Sequence, residues 1–181
     1  MNRYISILKG INVGGNKKIL MADLKLLLKD LGFSNIQTYI QSGNIVFETT
    51  QNSTIEELED NIQQAIFKKY GFDVTVIVRT VNYFANTIKT NPFLAKENID
   101  EKKLHVTFLR TKPTIENFEK VTHVNYPPDE FKIIDKNVFV YCPERYGETK
   151  LHNGFFEKAL KVKASTRNWR TVNKLYELAA R

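Results

Sequence analysis

The chain has 181 residues, 42% of them hydrophobic and 12% aromatic, with a formal charge of +7. That apolar share excludes a disordered chain, and the single cysteine, Cys142, excludes an intramolecular disulfide framework. No stretch nears the roughly 18 apolar residues that cross a bilayer, and the short apolar run after Arg3 is too brief for a secretory leader; a cytoplasmic chain without a membrane partner is expected.

Arg3–Leu8 reads as a strand. Leu24, Leu27, Leu28 and Leu31 recur at helical spacing and put four leucines on one stripe, with Gly32 placed to end that helix in the left-handed region. Ile36–Ile40 and Ile45–Phe47 are two β-rich runs joined by Gln41-Ser42-Gly43-Asn44, a hairpin signal. Ser53 and Glu56 offer a capping box for a second helix with Ile55, Leu58, Ile62, Ala65 and Ile66 on its buried stripe and Gly71 at its end. Val74–Val78 supplies a strand, and a shorter helix around Tyr83–Ile88 follows. The order β-α-β-β-α-β is the plan of a ferredoxin-like unit.

After the polar segment 96–103 the pattern restarts. Leu104–Leu109 ends in Arg110 as Tyr4–Leu8 ends in Lys9, Thr114 can cap a helix, and Phe131–Ile134 and Val138–Tyr141 flank a hairpin at Asp135-Lys136-Asn137. A helix over about 154–162 comes next, and Ser165-Thr166 then cap a final helix in place of a closing strand. The expected fold is therefore α+β, an internal duplication of two tandem ferredoxin-like subdomains over 1–95 and 104–181, joined by a linker at 96–103, with the second copy ending in a helix.

Residues 1–90 carry 10 basic and 8 acidic side chains, whereas residues 150–181 carry 8 basic and 2 acidic ones, so most of the excess charge sits near the C-terminus. A basic face attracts nucleic acid, phosphorylated ligands or acidic partners. The glycine-rich stretch from Lys9 to Lys18 follows the first strand, and such a turn lets backbone N–H groups converge on an anion. It is not a Walker loop: Asn16 intrudes before Lys17, and Lys18 stands where Ser or Thr would hold magnesium. In the expected topology this loop and the Gln41–Asn44 hairpin share one end of the sheet. The candidate ligand-binding residues are Lys9, Asn12, Gly14, Gly15, Lys17, Ser42 and Asn44, with Arg167, Asn168 and Arg170 at the start of the last helix. His105, His123 and His152 share no metal-ligand spacing with each other or with Cys142, and no nucleophile elbow or kinase set is present. Trp169 is expected in the core.

The stretches Leu8–Gly15, Thr38–Phe47 and Thr166–Leu175 resemble, in order and spacing, the bacterial conserved-hypothetical proteins grouped as domain-of-unknown-function family 1697. Lys9-Gly10 stands where that family has Arg-Gly. The resemblance implies a small cytosolic protein with duplicated ferredoxin-like subdomains and brings no activity, cofactor or substrate with it. The leading expectation is a protein that binds a phosphorylated small molecule or nucleotide, as monomer or homodimer; the alternatives are a nucleic-acid-binding module or a protein–protein interaction module. No reaction is assigned.

Overall fold

The leucine stripe folds as expected in the computed structural model, which describes residues 1–181. Strand β1 (Asn2–Leu8) leads to helix α1 (Met21–Asp30), whose Leu24, Leu27 and Leu28 are buried. Gly32, at φ +84°, lets the chain reverse: its N–H donates to the Lys29 carbonyl at 2.9 Å and the Phe33 N–H to the Leu28 carbonyl at 3.1 Å. Strands β2 (Ser34–Tyr39) and β3 (Asn44–Thr49) follow, then helix α2 (Ile55–Tyr70), strand β4 (Val76–Thr80) and helix α3 (Val81–Lys89). The capping box of α2 lies one residue later than the sequence suggests. The Glu57 N–H donates to Thr54 Oγ1 at 3.2 Å and the Thr54 N–H to Glu57 Oε2 at 2.8 Å, while Gly71 closes the helix at φ +74°.

These strands form one antiparallel sheet in the order β2-β3-β1-β4. Leu24, Leu28, Leu58, Ile62 and Ile66 from the helices pack on Tyr4, Leu8, Ile45, Phe47, Val76 and Val78. Each such fully buried large side chain contributes about 1.5–3 kcal/mol through the area it withdraws from water. One charged pair sits inside this apolar layer: Arg79 Nη1 lies 3.1 Å from Glu59 Oε1, which also accepts the Val78 N–H at 2.9 Å.

The second half repeats the plan with strand β5 (Leu104–Leu109), helix α4 (Ile115–Thr122), strands β6 (Glu130–Ile134) and β7 (Asn137–Tyr141), helix α5 (Asn153–Leu160), strand β8 (Ala164–Asn168) and helix α6 (Trp169–Ala180). Its sheet order is β6-β7-β5-β8, again antiparallel throughout. Strand β8 corrects the expectation that the second copy lacks a closing strand. Its five residues, Ala-Ser-Thr-Arg-Asn, show no apolar alternation, and what makes them a strand is backbone pairing with β5 from Ala164↔Leu109 to Asn168↔His105. Helix α6 therefore starts later than expected and is capped by Asn168, whose Oδ1 accepts the Thr171 N–H at 2.8 Å, and not by Ser165 or Thr166.

The repeat extends to single hydrogen bonds. Leu8 N–H donates to the Gly43 carbonyl at 2.7 Å and Leu109 N–H to that of Lys136 at 2.8 Å. Lys9 N–H reaches the Thr75 carbonyl at 2.9 Å, and Arg110 N–H the Lys163 carbonyl at 2.8 Å. Arg79 and Arg167, at matching places in β4 and β8, each donate from Nη1 to the carbonyl of the preceding residue, at 2.6 and 2.8 Å. The chain divides into two compact units, Met1–Ala85 with Lys174–Arg181, and Asn86–Asn173.

Candidate functional site

The loop between β1 and α1 is tied down by one side chain. Asn12, at φ +56°, donates from Nδ2 to the carbonyls of Ile19 (2.9 Å) and Gln41 (2.8 Å) and accepts the Ile19 N–H at 2.9 Å on Oδ1. It thereby joins the loop, the approach to α1 and the β2–β3 hairpin. The two loops that topology assigns to one end of the sheet are in contact. Between residues 12 and 17 the chain forms a miniature hairpin, with the Asn16 N–H donating to the Val13 carbonyl at 3.0 Å and the Asn12 N–H to the Lys17 carbonyl at 3.2 Å. Gly14 (φ +58°) and Gly15 (φ +78°) occupy its two central positions, where a primed turn needs positive φ at both. Gly43, at φ +74°, is needed for space as well: a Cβ there would lie 2.5 Å from the Leu8 Cβ.

Several candidate residues thus have structural duties. Asn44 is buried and donates to the Tyr39 carbonyl at 3.1 Å and to Ser42 Oγ at 2.9 Å, which holds the hairpin closed. Lys17 Nζ reaches the Asp73 carbonyl, and Lys9 is half-buried. Lys18 is exposed and makes no hydrogen bond or ion pair.

Beside the loop lies a cavity of about 310 Å³, lined by Asn12, Gly15, Lys18, Ile19, Leu20, Met21 and Gln41. Its wall contains a cation and no carboxylate. It also contains the start of α1, where the preceding residue is Leu20, which offers no side-chain cap. The other five α-helices are capped: α2 by Thr54, α3 by Thr80, α4 by Thr114, α5 by His152 and α6 by Asn168. The repeat sharpens the contrast, because β5 reaches α4 through the short segment 110–114 with Thr114 as cap, whereas β1 reaches α1 through segment 9–20. Unpaired first-turn N–H groups and the positive end of the helix dipole face this end of the sheet. Lys18, Ile19, Leu20, Met21 and Gln41 are lining residues outside the candidate set that the sequence offers. The signal that could have found them is negative: no Ser, Thr, Asp or Asn immediately precedes the leucine-striped helix.

Two larger hollows lie in the second unit. One of about 430 Å³ is bounded by Phe118, Tyr126, Phe131 and charged neighbours, but its carboxylates are matched, Asp129 accepting from Thr149 Oγ1 at 2.5 Å and Glu130 pairing with Lys96 at 2.5 Å. The other, about 420 Å³, is walled by Lys158, Lys161 and Lys163. Arg167 stands in β8 and not in the opening turn of α6. It is half-buried and donates to Ser165 Oγ at 2.9 Å, and burial lowers its guanidinium pKa to about 10. Arg170 is exposed in the first turn of α6. Trp169 is buried as expected, with Nε1 donating to Glu101 at 3.1 Å. Cys142 is buried too, and desolvation pushes its thiol up to about 11, which leaves an unreactive side chain at neutral pH.

The conserved bacterial protein SP0830 from Streptococcus pneumoniae has a similar solved structure, with a TM-score of 0.78 at 21% identity over 98% of each chain, a likeness of fold. The chain matches no curated protein. The family model described as protein of unknown function (DUF1697) matches residues 1–139. The chain belongs to the DUF1697 family.

Proposed function

We propose that this protein binds a phosphate-bearing small molecule at the cavity between the β1–α1 loop and the β2–β3 hairpin, on a ferredoxin-like frame. The frame is supported in both units by the β-α-β-β-α-β order and by the sheet order β2-β3-β1-β4 with its repeat β6-β7-β5-β8. One observation carries the binding reading. The cavity wall combines the exposed ammonium of Lys18, the open backbone at Gly15 and the uncapped start of α1; its lining residues include no acid, and the carboxylate of the first turn of α1 belongs to Asp23, outside that lining.

Roles follow from the geometry. Lys18 supplies charge, with Lys17 and Lys9 adding to the local potential. Gly15 and the first turn of α1 supply N–H donors. Asn12, Gly14, Ser42 and Asn44 hold these groups in place, so the site needs little rearrangement to accept its ligand. Arg167, Asn168 and Arg170 have no part in this reading. The wall has no imidazole, thiol, hydroxyl or carboxylate, which favours recognition over catalysis.

Thermal unfolding with nucleoside monophosphates and sugar phosphates tests the proposal. A true ligand at a hundred times its Kd adds about 2.7 kcal/mol of stability, and Lys18→Ala should remove most of that gain. No shift with any phosphate compound, or equal shifts in the wild type and the Lys18→Ala variant, would sink it.

A further inference from the structure

We propose that the open edge of strand β6 pairs with the same strand of a second copy of this chain, antiparallel about a two-fold axis at Phe131; this interface is independent of the anion reading above. Strand β6 is the outer strand of its sheet, in the order β6-β7-β5-β8. Its ladder to β7 runs without a break from Glu130↔Tyr141 to Ile134↔Asn137, and the backbone of 130–134 makes no hydrogen bond outside that ladder. The two-residue turn at Asp135 and Lys136 closes on a hydrogen-bonded pair, so the alternate residues Phe131 and Ile133 turn their N–H and C=O groups to the open edge. The matching edge in the first unit is blunted. There the β2–β3 register shifts between Ser34 and Gln37, with Asn35 at φ +48°, and such a bulge twists an edge away from pairing. The helix connections differ as well. Helix α1 reaches β2 through residues 31–33, whereas α4 reaches β6 through 123–129, and a hollow of about 430 Å³ opens between Phe118 of α4 and residues 129–133.

Charge selects the partner and its register. An axis at Glu130 or at Lys132 sets like charges directly opposite each other. An axis at Ile133 shortens the ladder and leaves Lys132 facing Ile134 of the second copy. An axis at Phe131 sets Glu130 opposite Lys132 of the second copy, and Lys132 opposite Glu130 of the second copy, at non-hydrogen-bonded positions where side chains approach closest. Lys132 is exposed and has no ion pair. Glu130 holds an exposed pair with Lys96 at 2.5 Å, which is exchanged at little cost. The same register brings the two Phe131 side chains together on the side of the sheet where the hollow lies, covering the apolar wall of Phe118, Phe131 and Ile133.

Sedimentation of the full chain at concentrations up to about 1 mM, where even a weak dimer is populated, tests this. The wild-type mass should rise from 21.0 kDa towards twice that value. Lys132→Glu and Glu130→Lys, each alone, set like charges opposite at both sites and should stay monomeric. An equimolar mixture of the two variants restores both opposite-charge pairs and should dimerise again. In the wild type, hydrogen exchange at the Phe131 and Ile133 amides should slow as concentration rises; if either variant unfolds, this measurement decides. A monomer at every concentration overturns the proposal, as does a single variant that dimerises as well as the wild type. A mixture that stays monomeric while both variants keep the wild-type circular dichroism also overturns it, and so does a dimer that leaves those two amides unprotected.

Discussion

At the scale of the residue, the motif from Lys9 to Lys18 is mostly a device for shaping the chain. Gly43 and Gly15 separate the two reasons a glycine is kept. Both have positive φ, but only Gly43 would place a Cβ against Leu8, whereas at Gly15 nothing lies within 4 Å. Gly15→Ala should cost about 1–2 kcal/mol, the strain of the left-handed region alone. Gly43→Ala should cost about 2–4 kcal/mol, because overpacking adds to the strain; urea midpoints of the two variants check the ranking. Asn12 needs both amide functions. Asn12→Asp would set a carboxylate against two carbonyl oxygens and should destabilise the fold more than Asn12→Ala does, an order that equilibrium unfolding can read. His105 gives a pH dependence. It stacks on Tyr146 with ring centres 4.1 Å apart, and burial holds its pKa below the ordinary imidazole value. The folded protein therefore resists protonation there, while the unfolded chain accepts the proton near the usual value of about 6.5. Stability should fall as the pH drops through and below that value, and His105→Phe should flatten the dependence in denaturation midpoints taken between pH 5 and 8.

At the scale of the element, α1 offers the sharpest contrast between stability and function. Leu20→Asp should cap the helix and complement its dipole, raising stability by about 0.5–2 kcal/mol. The same carboxylate would occupy the N–H groups and repel an anion, so phosphate binding should fall. Opposite signs in the two measurements are expected; a gain or no change in phosphate affinity would remove the helix start from the site. The elements also show what a sequence discloses. Helices α1 and α2 were legible because their apolar spacing is helical and Gly32 and Gly71 stop them. Strand β8 was not, because its side chains are small or polar and its identity lies in hydrogen bonds to β5, a partner far away in sequence. The same limit applied at the candidate site. The meeting of the β1–α1 loop and the β2–β3 hairpin at one end of the sheet was legible from topology, but the hydrogen-bond partners there were not. Asn12 and Asn44 have a loop-closing duty that no local pattern announces, because their partners, Ile19, Gln41 and Tyr39, are fixed by the folded loops.

At the scale of the molecule, the repeated sheet order supplies an internal control for the first unit. Two sheets with matching order and matching bonds at Leu8 and Leu109, Lys9 and Arg110, differ at the first strand–helix connection, which is long and leaves its helix uncapped in one copy and is short and capped in the other. Packing alone does not require that difference, since the second copy reaches the same strand order without it. The charge of +7 is a separate property and makes a separate prediction. Lysines 158, 161 and 163 wall an open hollow in the second unit, where phosphodiester backbones would be attracted without being read. Mixed-sequence RNA should therefore shift in a gel at low ionic strength, and its affinity should drop steeply between about 50 and 200 mM salt, as counterion release demands. Replacing the three lysines with glutamate should abolish that shift while leaving phosphate-ester binding at Lys18 unchanged, because the charges removed belong to the other copy of the repeat. RNA binding that resists salt and discriminates sequence would instead make nucleic acid the ligand of this chain, and the small-molecule reading would have to give way.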